Sequence, residues 1–115
     1  MIYDNKYFID FDFVCALGWP DAIVLSQLID AQNCFNHFLA ERGYRNTDLV
    51  PITLRQLADL TQLPIKQVAI SMSRLKKYNW IIYDYYQIFG KFKKCFTINW
   101  LTISRNLQEI KRSVF

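Results

Sequence analysis

At 115 residues, with 52% hydrophobic and 17% aromatic content, the chain fits one domain able to bury its own core, which excludes a disordered protein. Asp21 and Asp30 interrupt its richest apolar stretch and MIYDNKYFIDFDF shows no basic-then-apolar leader, so neither a membrane span nor a secretory signal is expected. The formal net charge of +4 is uneven: residues 1–41 hold one basic residue against six acidic ones, and residues 55–94 hold eight basic against two acidic.

Residues 7–17, YFIDFDFVCAL, begin in near alternation and suit a short strand or an irregular helical turn before Gly18 breaks the chain. Pro20 sits where the first turn of a helix tolerates it. From Asp21 to about Glu41, Val24, Leu25, Leu28, Phe35, Phe38 and Leu39 recur at three- and four-residue spacing, which predicts an amphipathic helix closed by Gly43. With Ile23 and Ile29 added, that helix carries more apolar surface than one core stripe needs, so an isologous interface and a homodimer are expected. Residues 43–50 read as a loop, and Val50 and Ile52 suit a minimal strand. The three widely spaced cysteines, Cys15, Cys34 and Cys95, suggest no disulfide framework and point to a reducing cytoplasm.

Thr53 followed by Gln56 matches a capping box, and Leu54, Leu57, Ala58 and Leu60 supply the buried face of a helix of about two turns. Thr61, Gln62 and Leu63 form a turn, Pro64 opens the next helix, and Val68, Met72 and Leu75 make its inward stripe. Trp80 to Tyr86 and Cys95 to Trp100 are rich in β-formers with Gly90 between them; Phe96, Ile98 and Trp100 alternate toward the core. Residues 101–112 suit a short final helix with Leu107 and Ile110 as contacts. Helix, tight break, helix and two β runs around a basic tip follow the order of a helix-turn-helix with a wing. The expected fold is α+β and mostly helical: a winged helix-turn-helix with a two-stranded β wing. It forms a single domain over residues 1–115, with the helix-turn-helix at about 53–79 and the wing at about 80–100.

On the outer face of the second helix of the motif lie Lys66, Gln67, Ile70, Ser73, Arg74 and Lys77. Gln67 can pair with adenine, Arg74 with guanine or phosphate, and Ile70 can touch a thymine methyl. Lys66, near the helix start, suits a phosphate, which the helix dipole also favours. Ile65, Ala69 and Ile70 make this face more apolar than a strong base reader, so it also suits a protein partner. The wing segment QIFGKFKK sets Lys91, Lys93 and Lys94 within reach of phosphates, contacts that position without specifying sequence. Phe89 and Phe92 between them can stack on unpaired bases or pack the wing onto the core. Tyr83, Tyr85 and Tyr86 read as half-buried strand residues. The bland alternative for the basic half is a solvated surface that keeps the protein soluble.

Enzymatic and metal chemistry find little footing. Cys34 and His37 share a helix face but offer two of the four ligands of a structural zinc site, so His37 reads as a helix histidine at the core edge. Asp10 and Asp12 lie on one side of a possible strand, with no third ligand for a divalent ion. No glycine-rich phosphate cradle, nucleophile elbow or paired catalytic acid is visible, so no cofactor is expected and the chain reads as a non-enzyme.

Two stretches resemble winged-helix domains of replication initiators and replisome organisers of Gram-positive phages and plasmids. ALGWPDAIVLSQL, residues 16–28, is similar to the opening of the first helix in those domains, and ITLRQLADLTQLPIKQVAISMSRLKKYNWI, residues 52–81, ends in their step into the wing. Asn79 stands where a glycine is common, and asparagine can adopt the left-handed conformation needed there. The resemblance implies DNA contact by Lys66, Gln67, Ser73, Arg74, Lys91, Lys93 and Lys94. The expected function is that of an accessory, replication or transfer factor of a mobile element that binds duplex DNA, with a single-strand binder using Phe89, Phe92 and the wing lysines as an alternative. No extra domain of the kind through which such proteins engage replication partners is expected after the wing and final helix, which keeps a small transcriptional regulator or a protein–protein adaptor among the expectations.

Overall fold

The computed structural model describes residue 14, residues 16–88 and residues 90–114, with the backbone alone at 84–88, 92–94 and 110–114. From Trp19 the order is α1 (Trp19–Glu41), β1 (Leu49–Val50), α2 (Leu54–Thr61), α3 (Ile65–Lys77), β2 (Ile81–Ile88), β3 (Lys91–Ile98) and α4 (Trp100–Val114). Upstream, Val14, Ala16 and Leu17 are helical, and the Gly18 N–H donates to the Val14 carbonyl at 2.8 Å. The strand option for residues 7–17 therefore fails where the chain is described; residues 7–13 and Cys15 lie outside it.

Local sequence accounts for the ends of α1. Gly18 enters it at φ 84°, and Pro20 occupies the first turn, where its missing N–H costs nothing. The helix stops at Gly43, φ 77°, where the Gly43 and Tyr44 N–H groups donate to the carbonyls of Ala40 and Leu39 and satisfy two carbonyls that no further turn would reach. α1 packs against α2, α3 and β1, so it is covered on several sides. That explains its apolar surplus: Val24, Leu25, Leu28 and Leu39 are buried, Ile23, Ile29 and Phe35 are half-buried, and of these apolar residues Phe38 alone is exposed. Gln32, also buried, donates to the Asp48 carbonyl at 3.0 Å and accepts from the Trp100 indole at 3.3 Å, tying α1 to the approach to β1 and to the start of α4.

α2 begins with the expected capping box: the Gln56 N–H donates to the Thr53 hydroxyl at 3.1 Å, and the Thr53 N–H donates to the Gln56 side chain at 2.9 Å. Leu57 is buried and Leu54 and Ala58 are half-buried, but Leu60 is 45% exposed, against expectation. Thr61 turns inward in its place because its hydroxyl is satisfied by the Leu57 carbonyl at 2.7 Å. Gln62 then adopts the left-handed conformation, φ 59°, and turns the chain. Pro64 is the residue before α3 rather than its first, and Val68, Met72 and Leu75 are buried as the stripe predicts. α3 ends at Asn79, φ 60°, with the Asn79 and Trp80 N–H groups donating to the carbonyls of Lys76 and Leu75.

Among the described residues the strands form one antiparallel sheet in the order β1-β3-β2. The expected two-stranded wing is therefore part of a three-stranded sheet: Leu49 pairs with Thr97 and Val50 with Phe96, because β3 has an open edge that the polar backbone of β1 can satisfy. Ile52 is buried but lies outside the strand. β2 and β3 stay paired from Ile81–Ile98 to Ile88–Lys91, so Lys91, Lys93 and Lys94 belong to a strand and not to the loop tip. Trp100 is a second correction: it opens α4 and is exposed, while Phe96 and Ile98 face the core as expected. Asn99 causes this break, its side chain accepting from the Thr102 N–H at 3.3 Å as a helix cap does. α4 is longer than expected and anchored by buried Ile103, with Leu107 half-buried; the Ile110 side chain lies outside the described residues.

Fully buried leucines from three helices, Leu25, Leu28, Leu57 and Leu75, meet Val50, Ile81, Phe96 and Ile98 of the sheet in one core. Each such leucine contributes about 1.5–3 kcal/mol by leaving water. No helix among the described residues is long and apolar enough to cross a membrane.

Candidate nucleic-acid interface

The inner stripe of α3 is pinned against α1 and α2, which leaves its opposite side in solvent. Lys66, Ser73, Arg74 and Lys77 are exposed there, and Ile70 is 47% exposed. Ala69, Ile70, Ser73, Arg74 and Lys77 line a shallow open groove of about 340 Å³. Ile65, 50% exposed at the helix start, extends the apolar character of this face.

Two of the expected base readers are engaged within the protein. Gln67 is half-buried, and its side-chain amide donates to the hydroxyl of fully buried Ser71 at 3.2 Å. It lies at the flank between the inner and outer faces, not squarely on the outer one. Arg74 directs Nη1 toward the carboxylate of Asp21, 3.3 Å from Oδ2 and 3.5 Å from Oδ1. Asp21 is 1% exposed, while the Arg74 side chain remains 47% exposed. One nitrogen of the guanidinium is thus committed inward, while its remaining donors are not required by that contact. Arg74, Lys76 and Lys77 also crowd the last turn of α3, where cations complement the helix dipole whatever else they do.

Lys76, which helical spacing alone does not group with the outer face, has a place of its own. Its ammonium lies 5.4 Å from the ring centroid of Tyr83, which is half-buried and stacks on Phe96 at 4.4 Å. This contact joins α3 to the root of the β2–β3 hairpin. Beyond Gly90, φ 80°, the hairpin carries exposed Lys91 opposite Ile88, and the backbone sets Lys93 opposite Tyr86 and Lys94 opposite Tyr85. Phe89 lies outside the described residues, as do the side chains of Phe92, Lys93, Lys94, Tyr85 and Tyr86.

His37 is not at the core edge. It stands in solvent, with Nε2 3.0 Å from Oε1 of Glu41 one turn later. Cys34 is exposed and Cys95 buried, and among the described residues no group of three His, Cys, Asp or Glu side chains is placed to hold a metal. Asp10 and Asp12 lie outside the described residues. The chain matches no protein-family model, no curated protein and no solved structure.

Proposed function

We propose that the chain is a winged helix-turn-helix protein that binds duplex DNA mainly through the phosphate backbone, as an accessory, replication or transfer factor of a mobile element. One observation carries the reading: α3 leaves Lys66 exposed near its start and Ser73, Arg74 and Lys77 exposed along a shallow groove, beside a hairpin that presents Lys91 and bears Lys93 and Lys94. Cations arrayed on one helix and an adjoining hairpin suit the paired phosphates that flank a groove. The inward engagement of Gln67 and Arg74 favours positioning over base reading, so sequence discrimination is modest. Titration of duplex and single strands at two salt concentrations tests this. Duplex affinity falls on raising salt, with a log–log slope of about −0.9 per phosphate neutralised; no binding of duplex at low salt overturns the proposal.

The exposure of Ile65 and Ile70 favours a second reading, in which α3 docks a protein of a replication or regulatory complex. A homodimer is part of the proposal; most of the α1 stripe is covered within the chain, which favours a contact elsewhere. Trp19, at 61% exposed, and Leu101, at 63%, are better candidates for it.

A further inference from the structure

A second concavity shares no lining residue with the α3 groove. It is an open groove of about 510 Å³ between α1, the β1–α2 connection and α2, and Ala31, Cys34, Phe35, Pro51, Ile52 and Leu60 supply most of its wall. Leu60 explains its origin. With Leu57 and Thr61 turned inward, the helical repeat points Leu60 away from the core and into this groove. Phe38, one turn after Phe35 and stacked on it at 6.3 Å, continues the apolar strip and is closed off by the Arg42 guanidinium 3.5 Å above its ring.

The groove also has a charge. Asp30 from α1 and Asp59 from α2, both exposed, line it from its two helical walls. Among the described residues the ion pairs join His37 to Glu41, Arg42 to Glu41 and Arg74 to Asp21, so no cation of the described chain neutralises either aspartate. Arg55, one turn before Asp59, lines a neighbouring hollow together with Asp59 but does not line this groove and forms no ion pair with that carboxylate. An anionic apolar groove repels nucleic acid phosphate. A two-fold contact centred on this groove would bring these aspartates toward their own counterparts.

We infer that this groove receives a basic amphipathic segment of a partner protein. Its apolar side chains enter between Phe35 and Leu60, and its lysine or arginine side chains reach Asp30 and Asp59. The apolar wall supplies affinity by burial, and the two carboxylates select the sign of the partner and its register. This does not depend on the DNA-binding reading, because the two surfaces are separate and of opposite charge.

Cys34 gives a direct readout, since it is exposed and lines the groove. The full chain is alkylated with neutral iodoacetamide, and modification of Cys34 is followed by peptide mapping in the presence of two synthetic helical peptides. Both carry the same leucine stripe; one has lysine and the other glutamate at the flanking positions. The leucine–lysine peptide should slow Cys34 alkylation severalfold at saturation, and the leucine–glutamate peptide should leave it unchanged. Joint Asp30→Asn and Asp59→Asn substitution should raise the half-protecting concentration about tenfold, and Leu60→Ser should weaken protection at unchanged charge. All three positions are exposed, so the variants keep the wild-type circular dichroism and melting temperature. Equal protection by both peptides, protection by neither, or indifference to the aspartate substitutions would overturn the inference. So would protection that rises with protein concentration in the absence of peptide, which assigns the groove to a second copy.

Discussion

Arg74, on the solvent side of α3, and Asp21, in the first turn of α1, meet across 53 residues of sequence, with Nη1 3.3 Å from Oδ2. The pair fastens the start of α1 to α3, and with it the face that carries the exposed lysines. The partners are unequal: the carboxylate is buried and the guanidinium is half in solvent. Arg74→Ala leaves that carboxylate without its cation and should lower stability by about 1–2 kcal/mol. This is less than for a wholly buried pair, because water screens the exposed arginine. Asp21→Asn removes the buried charge itself and should cost less than Arg74→Ala. Urea denaturation midpoints at constant m-value measure both, and the reverse order would mean that the arginine, not the carboxylate, is the costly orphan.

Asn79 closes α3 in the left-handed conformation at φ 60°, and its N–H and that of Trp80 satisfy two carbonyls of the last turn. Asparagine tolerates this region and glycine occupies it without a steric cost, whereas a β-branched side chain does not. Asn79→Gly should therefore be neutral to slightly stabilising. Asn79→Val should cost about 1–2 kcal/mol and loosen the entry into β2. Thermal melts of the two variants test this; a valine variant as stable as wild type would show that the turn relaxes to another conformation.

Short-range signals in the sequence carry most of the fold. The Thr53–Gln56 box, the Val68, Met72 and Leu75 stripe and the stop at Gly43 each depend on residues a turn or two apart, and each forms as expected. The features that local patterning does not announce depend on partners far away in sequence. Val50 suits a minimal strand on its own, but that Leu49 and Val50 pair with β3 follows from the open edge of β3, which no property of those two residues reveals. Trp100 has the spacing of the next inward residue of an alternating strand, but Asn99 caps a helix there and the Trp100 indole donates to Gln32. The outer face of α3 is legible as a helix face from its spacing. The withdrawal of Gln67 to Ser71 and of Arg74 to Asp21 is not, since in sequence Asp21 is only an early helical acid.

The hairpin lysines should act on affinity and its salt dependence, not on sequence preference. Under the duplex-binding proposal, replacing Lys93 and Lys94 with alanine weakens binding to all sequences alike. It also makes the log–log salt slope shallower by about 0.9 for each phosphate left without its lysine. Filter binding or fluorescence anisotropy on two unrelated duplexes reads both quantities. Unchanged affinity would remove the hairpin from the interface. A weakening confined to one duplex would contradict backbone-dominated binding.

Ile70 separates the two readings of α3. It is 47% exposed on the groove beside Ser73, Arg74 and Lys77, and its side chain makes no contribution to the core cluster. Ile70→Ala should therefore leave stability within about 0.5 kcal/mol of wild type. If α3 faces DNA through its cations, duplex affinity should change by less than about threefold, with the largest effect where a thymine methyl meets the side chain. Ile70→Asp should abolish duplex binding, because it sets a carboxylate among the lysines that meet phosphate. If α3 instead docks a protein, both substitutions disrupt that association, and duplex binding is absent in the wild type as well. Anisotropy titrations of the two variants beside the wild type distinguish these outcomes: an alanine effect as large as the aspartate effect would make the apolar side chain, and not the surrounding charge, the source of binding.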